Sequence, residues 1–177
     1  FVTTPSINYT DKMTIAAWIL PNYTETSNEL TILSKENSFS LSLTNDANQD
    51  KLAKLSIYDG VKWTTILSRN AIEGTSHVAA VVDGTLVYLY VNGVQQSKTR
   101  LPESFVMRDG ALKTAYSTIA NSDSDIVIGA YISTARSEPQ IINKFSGSIS
   151  DVLAYSRALD QDEILQLYQS NLPKENL

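Results

Sequence analysis

Asp83-Gly84 and Asn92-Gly93 constrain this chain most, because both stand inside one β-prone stretch from His77 to Lys98. A tight two-residue hairpin turn needs positive φ, which Asp-Gly and Asn-Gly adopt at little steric cost. On either side lie His77 to Val82, Thr85 to Val91 and Val94 to Ser97, rich in Val, Leu and Tyr. Turns this close together predict a three-stranded antiparallel meander.

The same period of two recurs elsewhere. Thr14, Ala16 and Trp18 alternate with Ile15, Ala17 and Ile19 in a strand closed by Pro21. Its mid-strand place among apolar residues makes Trp18 a core residue. Phe39 to Leu43, Ala53 to Tyr58 and Lys62 to Leu67 are further short strands, the last two joined through Asp59-Gly60. Leu101 to Asp125 reads as a long excursion with a short helix near Ala111 to Ile119, and strands resume at Ile126 to Ala130 and Lys144 to Tyr155. One helix closes the pattern. Asp160 is its N-cap, Glu163 completes a capping box, and Ile164, Leu167 and Tyr168 form the apolar stripe. Leu172-Pro173 stops it. Many short strands with frequent turns and no internal repeat predict an all-β fold, a two-sheet antiparallel jelly-roll sandwich with a short C-terminal helix. Residues 1–172 form the expected domain and 173–177 a polar tail or linker.

The chain has 177 residues, 14 basic and 19 acidic, hence a formal charge of −5. Its Lys and Arg are scattered singly, which argues against nucleic acid and anionic membrane surfaces as partners. No apolar run approaches the length of a membrane helix, so direct membrane insertion is not expected. There is no Cys, which removes disulfides, thiolate metal sites and Cys nucleophiles. Beginning at Phe1 without Met, the chain reads as a piece of a longer polypeptide, its first strand cut and neighbouring domains among its partners. Sequons at Asn8 and Asn22 favour an extracellular, cell-surface location.

Several blocks together resemble laminin-G-like, concanavalin A-like lectin/glucanase domains. Met13-Thr-Ile-Ala-Ala-Trp-Ile-Leu-Pro21 resembles the family's early strand, and Ile32-Leu-Ser-Lys35 the next. The block from His77 to Val94 resembles its most recognisable segment, Ile126 to Ala130 and Phe145 to Leu159 its last strands, and Gln161 to Tyr168 its closing helix. The blocks span nearly the whole chain in order. The resemblance implies the jelly roll and a binding module. Related pentraxins hold calcium just after the strand matching Ile126 to Gly129, where this chain reads Ala130-Tyr-Ile-Ser133, so that site is not carried over.

Glycosidases of this architecture carry Glu-x-Asp-x-Glu on a strand, and this chain has no such triplet. Its one His, His77, is read as a structural, hydrogen-bonded residue at a strand start. No cofactor is required. Calcium is the one optional ion, with Asp46, Asn48 and Asp50 as alternating oxygen ligands and Asn121, Asp123 and Asp125 as a weaker set. Sugar binding uses aromatic faces with a few polar groups. Trp63 after its turn, and the loop from Tyr131 to Lys144 with Arg136 and Gln140, are the candidate ligand residues. The expected role is a non-catalytic extracellular binding or adhesion module recognising glycan or a cell-surface protein. The alternatives are a structural domain of a surface layer or appendage and, more distantly, a glycoside-active enzyme.

Overall fold

A computed structural model describes residues 1–7, 9–24, 26–47, 50–170 and 172, with the backbone alone at 104–106, 108 and 113–116. In chain order the strands are β1 Val2–Thr4, β2 Lys12–Pro21, β3 Glu29–Lys35, β4 Phe39–Thr44, β5 Leu52–Tyr58, β6 Trp63–Ala71, β7 Ser76–Asp83 and β8 Leu86–Val91. They continue as β9 Val94–Arg100, β10 Glu103–Arg108, β11 Ala111–Tyr116, β12 Ile126–Ile128, β13 Tyr131–Ser133, β14 Gln140–Ile142 and β15 Gly147–Tyr155, followed by one helix, α1 Gln161–Ser170. The tail at 173–177 and the sequon Asn8 lie outside the described residues.

Two antiparallel sheets make the sandwich. One has the order β1-β12-β3-β4-β5-β6, the other β15-β2-β7-β8-β9. The expected meander is β7-β8-β9, pairing Val78 with Val91 and Leu86 with Arg100. Asn92 and Gly93 turn it with φ of 50° and 76°, the left-handed conformation their dipeptide favours. The Asp59-Gly60 hairpin also forms, pairing Tyr58 with Trp63.

Period-two alternation decides what each sheet buries. Ile15, Ala17 and Ile19 of β2, Phe39, Leu41 and Leu43 of β4, Leu55 and Ile57 of β5, and Val87 and Leu89 of β8 meet between the sheets. The opposite face of the five-stranded sheet carries Ala16, Ala79, Val81 and Tyr90, and there Leu159 and Ile164 cover it. Trp18 is buried, as expected, and stacks on Tyr168 of α1 at 5.6 Å. The helix is capped reciprocally. The Glu163 backbone N–H donates to Asp160 Oδ1 at 2.9 Å, and the Asp160 N–H donates to Glu163 Oε2 at 3.0 Å.

Two expectations need correction. The helix expected near Ala111 to Ile119 is instead β11, hairpinned to β10 with Met107 opposite Leu112. Asp109 and Gly110 take φ of 52° and 73°, which reverses the chain tightly where a helix would need right-handed residues. The segment from Tyr131 to Lys144 is not all loop, since Tyr131, Ile132 and Ser133 pair with Ile142, Ile141 and Gln140.

Candidate pocket on the six-stranded sheet

The outer face of the six-stranded sheet is polar because its strands alternate. In Phe39-Ser-Leu-Ser-Leu-Thr44 the Phe and Leu side chains enter the core, leaving Ser40, Ser42 and Thr44 on the other face. Strand register then lines up Ser34, Ser40, Ser56 and Thr65 in one row across β3, β4, β5 and β6. Ser56 and Thr65 hydroxyls lie 2.8 Å apart. Beside this row the cross-strand pair Thr31 and Ser42 is fully buried, and neither hydroxyl has a hydrogen-bond partner.

The β13–β14 hairpin is tied to β3. The Gly129 N–H donates to Ile32 O, the Thr31 N–H to Asn143 O at 2.8 Å, and Ser34 Oγ to Ala130 O at 2.8 Å. This anchoring brings Tyr131 and Ile142 to a pocket of about 220 Å3, with Ser40 and Ser56, Glu29 and Asn143, and Trp63 also lining it. Trp63 is 41% exposed, and its ring lies 5.2 Å from Tyr58. Burial first, and then the charge of Glu36, holds the Tyr131 phenol above its usual pKa, so it stays a neutral hydroxyl that can donate. Glu29 is closed by Lys54 at 2.7 Å, which leaves the pocket's carboxylate neutralised within the fold.

The structure therefore unites Trp63 and Tyr131 and not the other two candidates. Arg136 is exposed between β13 and β14, and Gln140 begins β14, paired with Ser133; neither lines the pocket. The serine floor was missed, although its signal lay in the alternation of Phe39 to Thr44. Asn22 is exposed, and its Oδ1 accepts the Thr24 N–H at 3.2 Å.

His77 differs from its expectation. Its backbone bonds Asn92 in both directions, the His77 N–H to Asn92 Oδ1 and the Asn92 N–H to His77 O. The ring has no such role. It is 1% exposed beneath α1, and neither ring nitrogen has a hydrogen-bond partner.

For calcium, Asn48 lies outside the described residues. Asp46 and Asp50 flank a loop that already holds an internal cation. Lys51 Nζ donates to Asp46 O at 3.1 Å and to Asn45 Oδ1 at 3.2 Å. Asn121 Oδ1 likewise accepts Lys35 Nζ at 3.0 Å. Among the described residues no three carboxylate or imidazole groups converge.

The profile of the concanavalin A-like lectin/glucanases superfamily matches residues 1–165. The chain belongs to that superfamily. Among solved structures it is similar to the CBM40 of a Ruminococcus gnavus IT-sialidase bound to α2,3 sialyllactose, at 19% identity over 90% of this chain and 83% of that one, with a TM-score of 0.65. It is similar to a heptameric SAP-like pentraxin from Limulus polyphemus, at 18% identity over 96% and 73%, with a TM-score of 0.61. It is also similar to a putative carbohydrate binding protein from Bacteroides ovatus, at 18% identity over 93% and 43%, with a TM-score of 0.65. At these identities the likeness is one of fold. No curated protein matches the chain in sequence.

Proposed function

We propose that this concanavalin A-like chain is a non-catalytic glycan-binding module, displayed outside the cell as part of a larger surface polypeptide, and that it holds a saccharide in the Trp63–Tyr131 pocket. The observation that carries the reading is the half-exposed Trp63 indole beside Tyr131 over a floor of Ser40 and Ser56 hydroxyls. A pyranose presents C–H groups on one face and hydroxyls at its rim, so it needs an aromatic plate with a few hydrogen-bonding groups. Similarity to a carbohydrate-binding module and to a putative carbohydrate binding protein supports the reading. The absence of catalysis is supported by Glu29, the pocket's one carboxylate, being paired with Lys54 where a retaining or inverting glycosidase needs two free acids.

A glycan array tests this. The wild-type chain is expected to bind a defined subset of glycans, and Trp63→Ala to weaken that binding at least about tenfold, the scale of one lost stacking contact in a half-open site. An array without binding, or binding that survives Trp63→Ala, refutes the assignment. The empty array would leave a purely structural role as the better account.

A further inference from the structure

The outer face of the five-stranded sheet holds a second pocket, which the Trp63 site does not use. It has a volume of about 300 Å3. Tyr88 and Tyr90 alternate on β8 and so point to the same face, away from Val87 and Leu89 in the inter-sheet core. Their rings stack at 6.3 Å with planes inclined by 25°. Asp160 and Gln161, at the start of α1, stand on the pocket's other side, and Asp83 and Gln95 complete its polar lining.

Tyr90 is the telling residue. It is 4% exposed, packed with Leu159 and Ile164, and it lines this pocket. Its hydroxyl is not among the fully buried polar atoms that lack a partner, so it opens to the pocket that the residue lines. A tyrosine can pack its ring and still present its hydroxyl at a pocket wall, where a ligand can take it in place of water. Burial, then Tyr88 and Asp160, keep its pKa raised, so the group remains a donor.

Charge decides between a cation and a polyol. Lys98 Nζ already lies 5.1 Å from the Tyr88 ring centroid, where a ligand cation would sit. Asp83 is paired with Lys12 at 2.8 Å, and Asp160 Oδ1 is taken by the Glu163 N–H. What remains is an aromatic platform, a phenol open to the pocket, an amide at Gln95 and the spare lone pairs of two carboxylates. That set matches a hydroxyl-rich ring.

We infer that the Tyr88–Tyr90 pocket is a second saccharide site, taking one pyranose ring, on the opposite face of the sandwich from Trp63. The inference rests on the glycan-binding reading above and extends it: a domain with ligand sites on both outer faces can bridge two glycan chains and gain avidity.

The test is a titration of the full chain with methyl glycosides of glucose, galactose, mannose and N-acetylglucosamine, followed by amide NMR. Saturable shifts are expected at Tyr88, Tyr90, Gln95 and Gln161, equally in wild type and Trp63→Ala. Tyr88→Ala is expected to weaken them about tenfold, and Tyr90→Phe, which keeps the packed ring, about three- to tenfold. No shifts at these amides, or shifts abolished by Trp63→Ala, overturn the second site. So do shifts evoked by tetramethylammonium chloride and not by the glycosides. The Trp63 reading is judged separately, by the Trp63 indole and Tyr131 signals in the same spectra.

Discussion

His77 is a titratable ring held where it cannot be charged at low cost. It lies 5.5 Å from the Trp18 ring and 6.2 Å from Tyr168, and burial lowers its pKa from 6.5 to about 4. Below the unfolded value the unfolded chain takes up the proton first, so acid favours unfolding. The imidazole's contribution is therefore complete above pH 6.5 and is lost as pH falls toward 4. At about 1.4 kcal/mol per pKa unit the full loss is about 3 kcal/mol. Urea unfolding at several pH values is expected to show this fall in wild type and a flatter profile in His77→Phe. Equal slopes would mean that carboxylates alone set the acid sensitivity. The sequence placed Trp18 in the core correctly, from strand neighbours. It could not reveal the ring environment of His77, because that environment comes from Tyr168, far along the chain. Lys35 escaped notice for the same reason. Its fully buried side chain donates to Ser6, Ile7 and Asn121, partners from separate segments.

At the scale of elements, turn chemistry and periodicity carried most of the reading. Asn92-Gly93, Asp59-Gly60 and the Asp160–Glu163 box each appear where local residue types demand them. The β10–β11 hairpin was misread although Asp109-Gly110 offered the same signal, since its flanking segments lack clean alternation. The seat of α1 depends on one such turn. A Cβ added at Gly93, where φ is 76°, would come within 2.9 Å of Leu165 Cδ1 and 3.2 Å of Tyr168 Cδ1. Gly93→Ala therefore strains the backbone and lifts the helix off Trp18 and His77. The expected cost is about 1–3 kcal/mol, read as a lower unfolding midpoint. The displaced helix should also raise the fluorescence quenching of Trp18 by acrylamide. An unchanged midpoint would show that α1 contributes little to the fold.

For the molecule as a whole, the partition of faces follows from alternation, whereas the meeting of Trp63 with Tyr131 does not. Each was legible as a candidate. Their encounter needs β6 at the sheet edge and the β13–β14 hairpin anchored on β3, and no local pattern encodes that long-range pairing. Charge sets which ligand the proposed site should prefer. The chain carries a formal −5, and within the Trp63 pocket Glu29 is neutralised by Lys54 while the other lining residues are uncharged. A sialylated ligand would bring an anion toward a net negative domain with no free cation among the residues that line the pocket. An uncharged saccharide loses nothing by the same arrangement. Hence this chain should prefer neutral glycans, unlike the sialyllactose-bound CBM40 it resembles in fold. Affinity for a neutral ligand should change less than about twofold between low and high salt, because no ion pair forms with the ligand to be screened. Calorimetry with paired neutral and sialylated oligosaccharides at two salt concentrations checks this. Tighter binding of the sialylated member, weakened by salt, would place a cation such as the exposed Arg136 at the ligand and reverse the assigned preference.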